Sequence, residues 1–105
     1  MSIIQIKILN SKLKSDDIFK LKKITKKTIS DLKQNLKDNK VIFREELFNN
    51  NHHEISKNLR SLIFFIENNK LDYKAYEALD NIREYQEIDL HILKNILDAS
   101  DQDFS

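Results

Sequence analysis

This chain of 105 residues has no glycine, no proline and no cysteine. Without cysteine there is neither a disulfide nor a thiolate for catalysis or a Cys-based zinc site. Without glycine there is no phosphate-binding loop of the kind in which the backbone approaches a nucleotide closely. Turns must be formed by Asn, Asp, Ser and Lys, of which Asn and Asp tolerate the left-handed backbone conformation best.

Long apolar runs are also missing. The longest run covers residues 62–66, only five residues, whereas a membrane-spanning helix needs about 20. The first residues do not show the basic start and apolar stretch of a signal peptide. These absences predict a cytoplasmic protein with no membrane partner. The length predicts a single domain over 1–105, with an α/β core over 1–79 and a C-terminal helical extension over 80–105.

Charge is distributed unevenly along the chain. Residues 1–44 contain twelve Lys or Arg against four acids, and residues 45–105 contain six against thirteen. Either half can therefore attract a partner of opposite charge, or the two halves can neutralise each other in the fold.

Hydrophobic periodicity predicts the elements. Ile4, Ile6 and Ile8 alternate with polar residues, which is typical of a half-buried strand. Further strands are predicted over 40–48, with Val41, Phe43 and Leu47 on one face, and at the start of 71–79, where the spacing of Tyr76, Leu79 and Ile82 would also suit a helix. Helices are predicted to begin at the caps Ser15, Thr28 and Asp89 and to run over 53–68, where Asn68 and Asn69 end the helix. Residues 80–87 are expected to be irregular, and 100–103 to fray.

This order predicts an α+β fold, β-α-α-β-α-β, with helices layered against a three-stranded sheet as a two-layer sandwich and an additional C-terminal helix. Residues 18–25 read Ile-Phe-Lys-Leu-Lys-Lys-Ile-Thr, and residues 26–33 read Lys-Lys-Thr-Ile-Ser-Asp-Leu-Lys. Together with the strand order over 3–78, they resemble the C-terminal domain of the bacterial ribosomal stalk protein family (L7/L12), a fold also seen in the protease adaptor ClpS.

The resemblance implies a binding module. In that family the two helices read Ile-x-x-Val-Arg-x-Ile-Thr and Gly-Leu-Gly-Leu-Lys-Glu-Ala-Lys, and their basic residues bind translation factors. The corresponding cations are Lys22 and Lys33. The family's two glycines fall on Lys26 and Thr28, and a further family lysine falls on Phe19.

The candidate chemical groups do not predict an active site. His52 and His53 are adjacent at a helix start and do not face one metal ion, so a capping or surface role is favoured. Glu45 and Glu46 alternate faces on a strand, whereas acid–base catalysis needs convergent carboxylates. We therefore expect no enzyme activity, no cofactor and no metal.

Two features favour binding. Five cations surround the exposed arc of the first helix: Lys20, Lys22, Lys23, Lys26 and Lys27. They indicate an acidic protein partner, a nucleic acid, or simply a solvated face. On the third helix, a turn of 100° per residue points Phe64 away from the apolar stripe. The C-terminal segment can cover Phe64 with Leu93, Ile96 and Leu97, or Phe64 is an exposed anchor for a partner.

The sequence thus predicts a small non-enzymatic protein-binding module, for which an immunity protein that neutralises a toxin is a natural setting. The expected partner is another protein, such as a toxin or a translation-type factor. The alternative is a nucleic-acid- or ribosome-associated accessory protein that uses the basic N-terminal helices. The predicted partner-binding residues are Lys22, Lys26, Lys33, Phe64, Glu77, Asp80, Glu84 and Glu87.

Overall fold

The alternating isoleucines form the central strand of the sheet. In the computed structural model, which describes residues 2–9, 13–47, 51–79 and 84–103, Ile4, Ile6 and Ile8 are fully buried and the residues between them are partly exposed. The elements follow in this order: β1 (Ser2–Leu9), α1 (Ser15–Thr25), α2 (Ile29–Lys37), β2 (Val41–Glu46), α3 (His52–Asn68), β3 (Asp72–Leu79), β4 (Gln86–Ile88) and α4 (Leu90–Asp103). The predicted mixed α+β class is confirmed.

The sheet has four strands in the order β2-β1-β3-β4, and each neighbouring pair is antiparallel. The prediction of a three-stranded sheet was wrong, because a fourth strand, β4, begins within the segment 80–87 that was expected to be irregular and continues to Ile88. Residues 80–83 of that segment lie outside the described residues. Ile88 of β4 pairs with Ala75 of β3 and is buried. A strand is recognised in a sequence by apolar residues at every second position. A strand this short has only one inward apolar residue, which is too few to form such a pattern.

A β-bulge shifts the inward face of β2. Ile6 pairs with Phe43 and Lys7 pairs with Val41, so Ile42 is an extra residue on β2. As a result both Ile42 and Phe43 are buried, whereas a regular strand would bury only one of them. The prediction that Val41 belongs to the inward face was therefore wrong, and β2 is shorter than the predicted strand over 40–48.

Two of the three predicted helix caps are confirmed. The side chain of Thr28 accepts a hydrogen bond from the backbone N–H of Asp31 at 3.1 Å. Asp89 Oδ1 accepts one from the N–H of Ile92 at 2.8 Å. Ser15 is not a cap, because it is the first helical residue of α1 and Lys14 precedes the helix without a side-chain capping bond.

Three residues other than glycine have a left-handed backbone: Lys26 with φ 62°, Asn39 with φ 55° and Lys70 with φ 51°. Only Asn39 belongs to the residue types expected there. α3 ends at Asn68 with Asn69 as its C-cap, as predicted, and the left-handed residue is the following Lys70. The next N–H, that of Leu71, donates to the carbonyl of Ile66 at 3.0 Å. A Cβ in this conformation costs about 1 kcal/mol, so the glycine-free turns lower the stability.

One core cluster joins the inward residues of the strands to apolar residues from all four helices. Leu93 and Leu97 of α4 are fully buried in this cluster. The predicted fraying of 100–103 was wrong, because Ser100 is buried and donates to the carbonyl of Leu97 at 2.9 Å. Among the described residues, no helix is both long enough and apolar enough to cross a membrane.

Candidate functional site

Phe64 is the most exposed large apolar side chain of the described residues. It is 68% exposed, whereas its neighbours Ile63 and Phe65 are buried. The alternative in which the C-terminal segment covers Phe64 was wrong, since Leu93 and Leu97 are buried in the core instead. The helical phase of α3 thus presents an aromatic ring to solvent.

A groove lies between α1 and α3 on one side of Phe64. We call it the α1–α3 groove, and its volume is about 340 Å³. It is lined by Lys20, Lys23, Ile24, Ser61, Phe64, Phe65, Asn68 and Asn69. The lining residues of α1 are spaced at i, i+3 and i+4, starting from Lys20. Most of the lining residues of α3 are spaced at i, i+3, i+4 and i+7, starting from Ser61. Each helix therefore supplies one continuous stripe along its length.

The cations of the α1–α3 groove have no partner within the described part of the chain. Lys20 and Lys23 are exposed, and no ion pair or hydrogen bond joins either ammonium group to a described residue. They stand beside an apolar floor to which Ile24 and Phe65 contribute. The groove therefore combines apolar surface with two ammonium groups that form no ion pair with a described residue.

Lys26 differs from these two lysines. Its Nζ lies 2.6 Å from Glu54 Oε1, and both side chains are more than half exposed, so the pair bridges the end of α1 to the start of α3. The hydrogen bond from Lys26 holds the pKa of Glu54 below its usual value. The charge of this predicted partner-binding residue is thus already matched within the chain.

A second groove lies between α3 and α4 on the other side of Phe64. It is lined by Arg60, Ile63, Phe64, Glu67, Lys94 and Asp98. Here the charges are paired: Lys94 Nζ lies 2.9 Å from Glu67 Oε2, and Arg60 Nη2 lies 2.9 Å from Asp98 Oδ1. Phe64 therefore stands between one groove whose cations are unmatched and one whose charges are satisfied.

Asp101 is the centre of a polar network that joins α4 to α3. Its Oδ1 lies 3.1 Å from His52 Nε2 and accepts the hydroxyl of Ser56 at 2.8 Å. Its Oδ2 accepts Arg60 Nη2 at 2.6 Å and Arg60 Nε at 3.2 Å. Burial raises the pKa of Asp101, but the hydrogen bonds from Arg60 and Ser56 together hold it below its usual value. In return, the bonds to Asp101 and Asp98 raise the pKa of Arg60.

The network contains Ser, His and Asp but lacks the order of a catalytic triad. In a triad the imidazole lies between the hydroxyl and the carboxylate. Here the Ser56 hydroxyl donates directly to Asp101, so the carboxylate occupies the centre. The network therefore holds two helices together. His52 is buried, so a surface role is wrong for it, whereas His53 is exposed as predicted.

The predicted partner-binding residues fall on different parts of the fold. Lys22 and Lys33 are exposed on α1 and α2 outside the α1–α3 groove. Glu77 lies on the interior strand β3, Glu87 lies on the edge strand β4, and Glu84 lies two residues before β4. Glu87 Oε1 lies 3.6 Å from Lys74 Nζ. Asp80 lies outside the described residues.

The sheet face that points away from the core is a further surface, on which cations and aromatic rings contact each other. Lys7 Nζ lies 5.6 Å from the centre of the Tyr76 ring. Arg44 Nη2 donates to the Tyr85 hydroxyl at 3.4 Å, across the two strands between them.

Residues 2–9, 13–47, 51–79 and 84–103 contain no group of three or more His, Cys, Asp or Glu placed to hold a metal ion. Comparison of the chain with protein-family models, curated proteins and solved structures gives no match.

Proposed function

We propose that the chain is a protein-binding module whose docking surface is centred on Phe64. The observation that carries this proposal is the 68% exposure of an aromatic side chain that stands between two grooves. Large aromatic anchors near the centre of an interface often supply most of the binding energy. A rigid helix bears this anchor, so little ordering is needed on association.

The proposal extends to the fold family and the biological setting. A two-layer sandwich of the stalk-protein type is supported by the helix pair that precedes β2 and by the central position of β1. A toxin-neutralising immunity protein is one setting for such a module, and a translation-type factor is another partner. The charge of the partner determines which surface it can use. An acidic partner suits the basic helix α1, whereas a basic toxin would require the acidic residues of β3 and β4.

Quantitative affinity capture from extract of the native cell, with and without nuclease, tests the proposal. The variant is Phe64→Ser, and Phe19→Ser is the matched control because Phe19 is 51% exposed on α1 and does not line either groove. We expect Phe64→Ser to lose a protein that the wild type and Phe19→Ser both retain.

The captured protein is then purified and its Kd is measured for each variant. A rise in Kd of about tenfold or more for Phe64→Ser, equivalent to at least ~1.4 kcal/mol, with little change for Phe19→Ser, supports the proposal. Equal affinity of both variants contradicts it. Loss of all capture after nuclease treatment would favour the nucleic-acid alternative.

A further inference from the structure

We infer that the α1–α3 groove receives a short helical segment of the partner that carries apolar residues beside two carboxylates one helical turn apart. This inference rests on the proposed function and specifies the chemistry of the partner. It follows from the lining of the groove, from the spacing of its cations and from the finding that neither cation forms an ion pair with a described residue.

The lining requires an amphipathic occupant. Phe64, Phe65 and Ile24 supply apolar surface, so apolar side chains must cover them to exclude water. Ser61 and Asn68 supply hydroxyl and amide groups on the α3 side, and Lys20 and Lys23 supply charge on the α1 side. A helix that presents one apolar stripe and one acidic stripe matches both sides of the groove.

The spacing of the cations indicates the spacing of the carboxylates. Lys20 and Lys23 are three residues apart on α1, and residues with this separation lie about 5–6 Å apart at Cβ. Acidic residues at i and i+3 or i+4 of a partner helix have the same separation. One such pair can therefore meet both ammonium groups at once.

The groove is poorly suited to nucleic acid. The ring of Phe65 is 5% exposed, so of the two aromatic residues in the lining only Phe64 offers a face on which a base can stack. The lining contains no arginine, which is the cation best suited to stacking and to bidentate phosphate contacts. An acidic protein segment can pair with the same two lysines and needs neither further exposed aromatic rings nor an arginine in the groove.

Two sets of synthetic helical peptides of about 16 residues, roughly four turns, test the inference. Both sets carry the same apolar stripe, and they differ only in having Glu or Lys pairs at the flanking i and i+4 positions. Binding is measured by fluorescence anisotropy to the wild type, to Lys20→Glu/Lys23→Glu, and to Lys37→Glu/Lys40→Glu. The last variant changes the charge equally at two exposed positions at and just after the end of α2, outside the groove.

We expect the Glu set to bind the wild type. Its affinity should fall about tenfold or more for Lys20→Glu/Lys23→Glu and should change less than about threefold for Lys37→Glu/Lys40→Glu. The Lys set should prefer Lys20→Glu/Lys23→Glu. Equal binding of both sets to the wild type, or equal losses with both variants, would overturn the inference. A single-stranded RNA oligonucleotide could also displace the Glu set from the wild type. If it does so, and the displacement is lost in Lys20→Glu/Lys23→Glu, the inference is overturned.

The two proposals fail in different ways. If Phe64→Ser abolishes capture of the partner but the peptides show no charge preference, the inference about the groove is wrong and the proposed function stands. If Phe64→Ser leaves capture intact, the proposed function itself is wrong.

Discussion

The two sides of Phe64 use charge in opposite ways. On the α4 side, Arg60, Glu67, Lys94, Asp98 and Asp101 satisfy one another across the helix–helix contact. On the α1 side, neither Lys20 nor Lys23 forms an ion pair with a residue that the structure describes. Polar groups that are satisfied within the chain stabilise the fold, whereas unmatched cations beside apolar surface remain available to a partner. The α4 side therefore stabilises the fold, and we propose that the α1 side binds the partner.

The largest effect should come from the apolar part of the α4 side. Leu97→Ala removes a fully buried side chain, and we expect the free energy of unfolding to fall by about 2–5 kcal/mol. Chemical denaturation measures this loss. The control is Ile92→Ala, at an exposed position of the same helix, which should change stability by no more than about 0.5 kcal/mol. Equal effects of the two substitutions would contradict the integration of α4 into the core.

The next effect concerns the polar part of that side. Asp101→Ala leaves the buried His52 and Ser56 without their shared acceptor, so we expect a loss of about 1–3 kcal/mol. Asp98→Ala removes only a bond at the exposed rim, and it should cost about 0–1 kcal/mol. Thermal or urea unfolding of both variants distinguishes them, and a larger loss for Asp98→Ala would argue against Asp101 as the centre of the network.

Acid should weaken the same network. The pKa of Asp101 in the folded protein lies below its usual value of 3.8. The charged carboxylate therefore adds its full share to the free energy of unfolding at any pH above 3.8. This share is lost as the pH falls from about 3.8 through the lower pKa of the folded protein. The stability difference between the wild type and Asp101→Asn should therefore be constant near neutral pH and shrink in strong acid. A difference that stays constant into strong acid would rule out this titration.

The smallest effect on stability is expected on the α1 side. Phe64→Ser and Lys20→Glu/Lys23→Glu change exposed side chains, and neither lysine forms an ion pair with a described residue, so each variant should alter the free energy of unfolding by no more than about 0.5 kcal/mol. Differential scanning calorimetry or urea titration checks this. A loss as large as that of Asp101→Ala would mean that this surface contributes to the fold.

Much of the fold can be predicted from the periodic spacing of apolar residues in the sequence. The alternation of Ile4, Ile6 and Ile8 predicts β1, and the caps at Thr28 and Asp89 were readable because their side chains act locally. β4 and the bulge at Ile42 were missed because both depend on pairing with distant strands. Such pairing leaves little trace in the local sequence.

The candidate site was predicted only in part. Helical phase alone identified Phe64 as pointing away from the core stripe, but it did not show which element flanks it. The α1–α3 groove depends on how two helices pack, so Lys20 and Lys23 were not distinguished from the other lysines of α1. The network of Asp101 had a readable signal, since His52, Ser56 and Arg60 recur every four residues on α3, and this polar stripe required a complementary acidic helix.

The most direct measurement is an NMR titration of the ¹⁵N-labelled chain with the purified partner. The account predicts that the backbone shifts change most along α1 and α3 around Phe64, with little change in β3 and β4, which contain Glu77 and Glu87. Shifts concentrated in those two strands, with α1 and α3 unaffected, would contradict it.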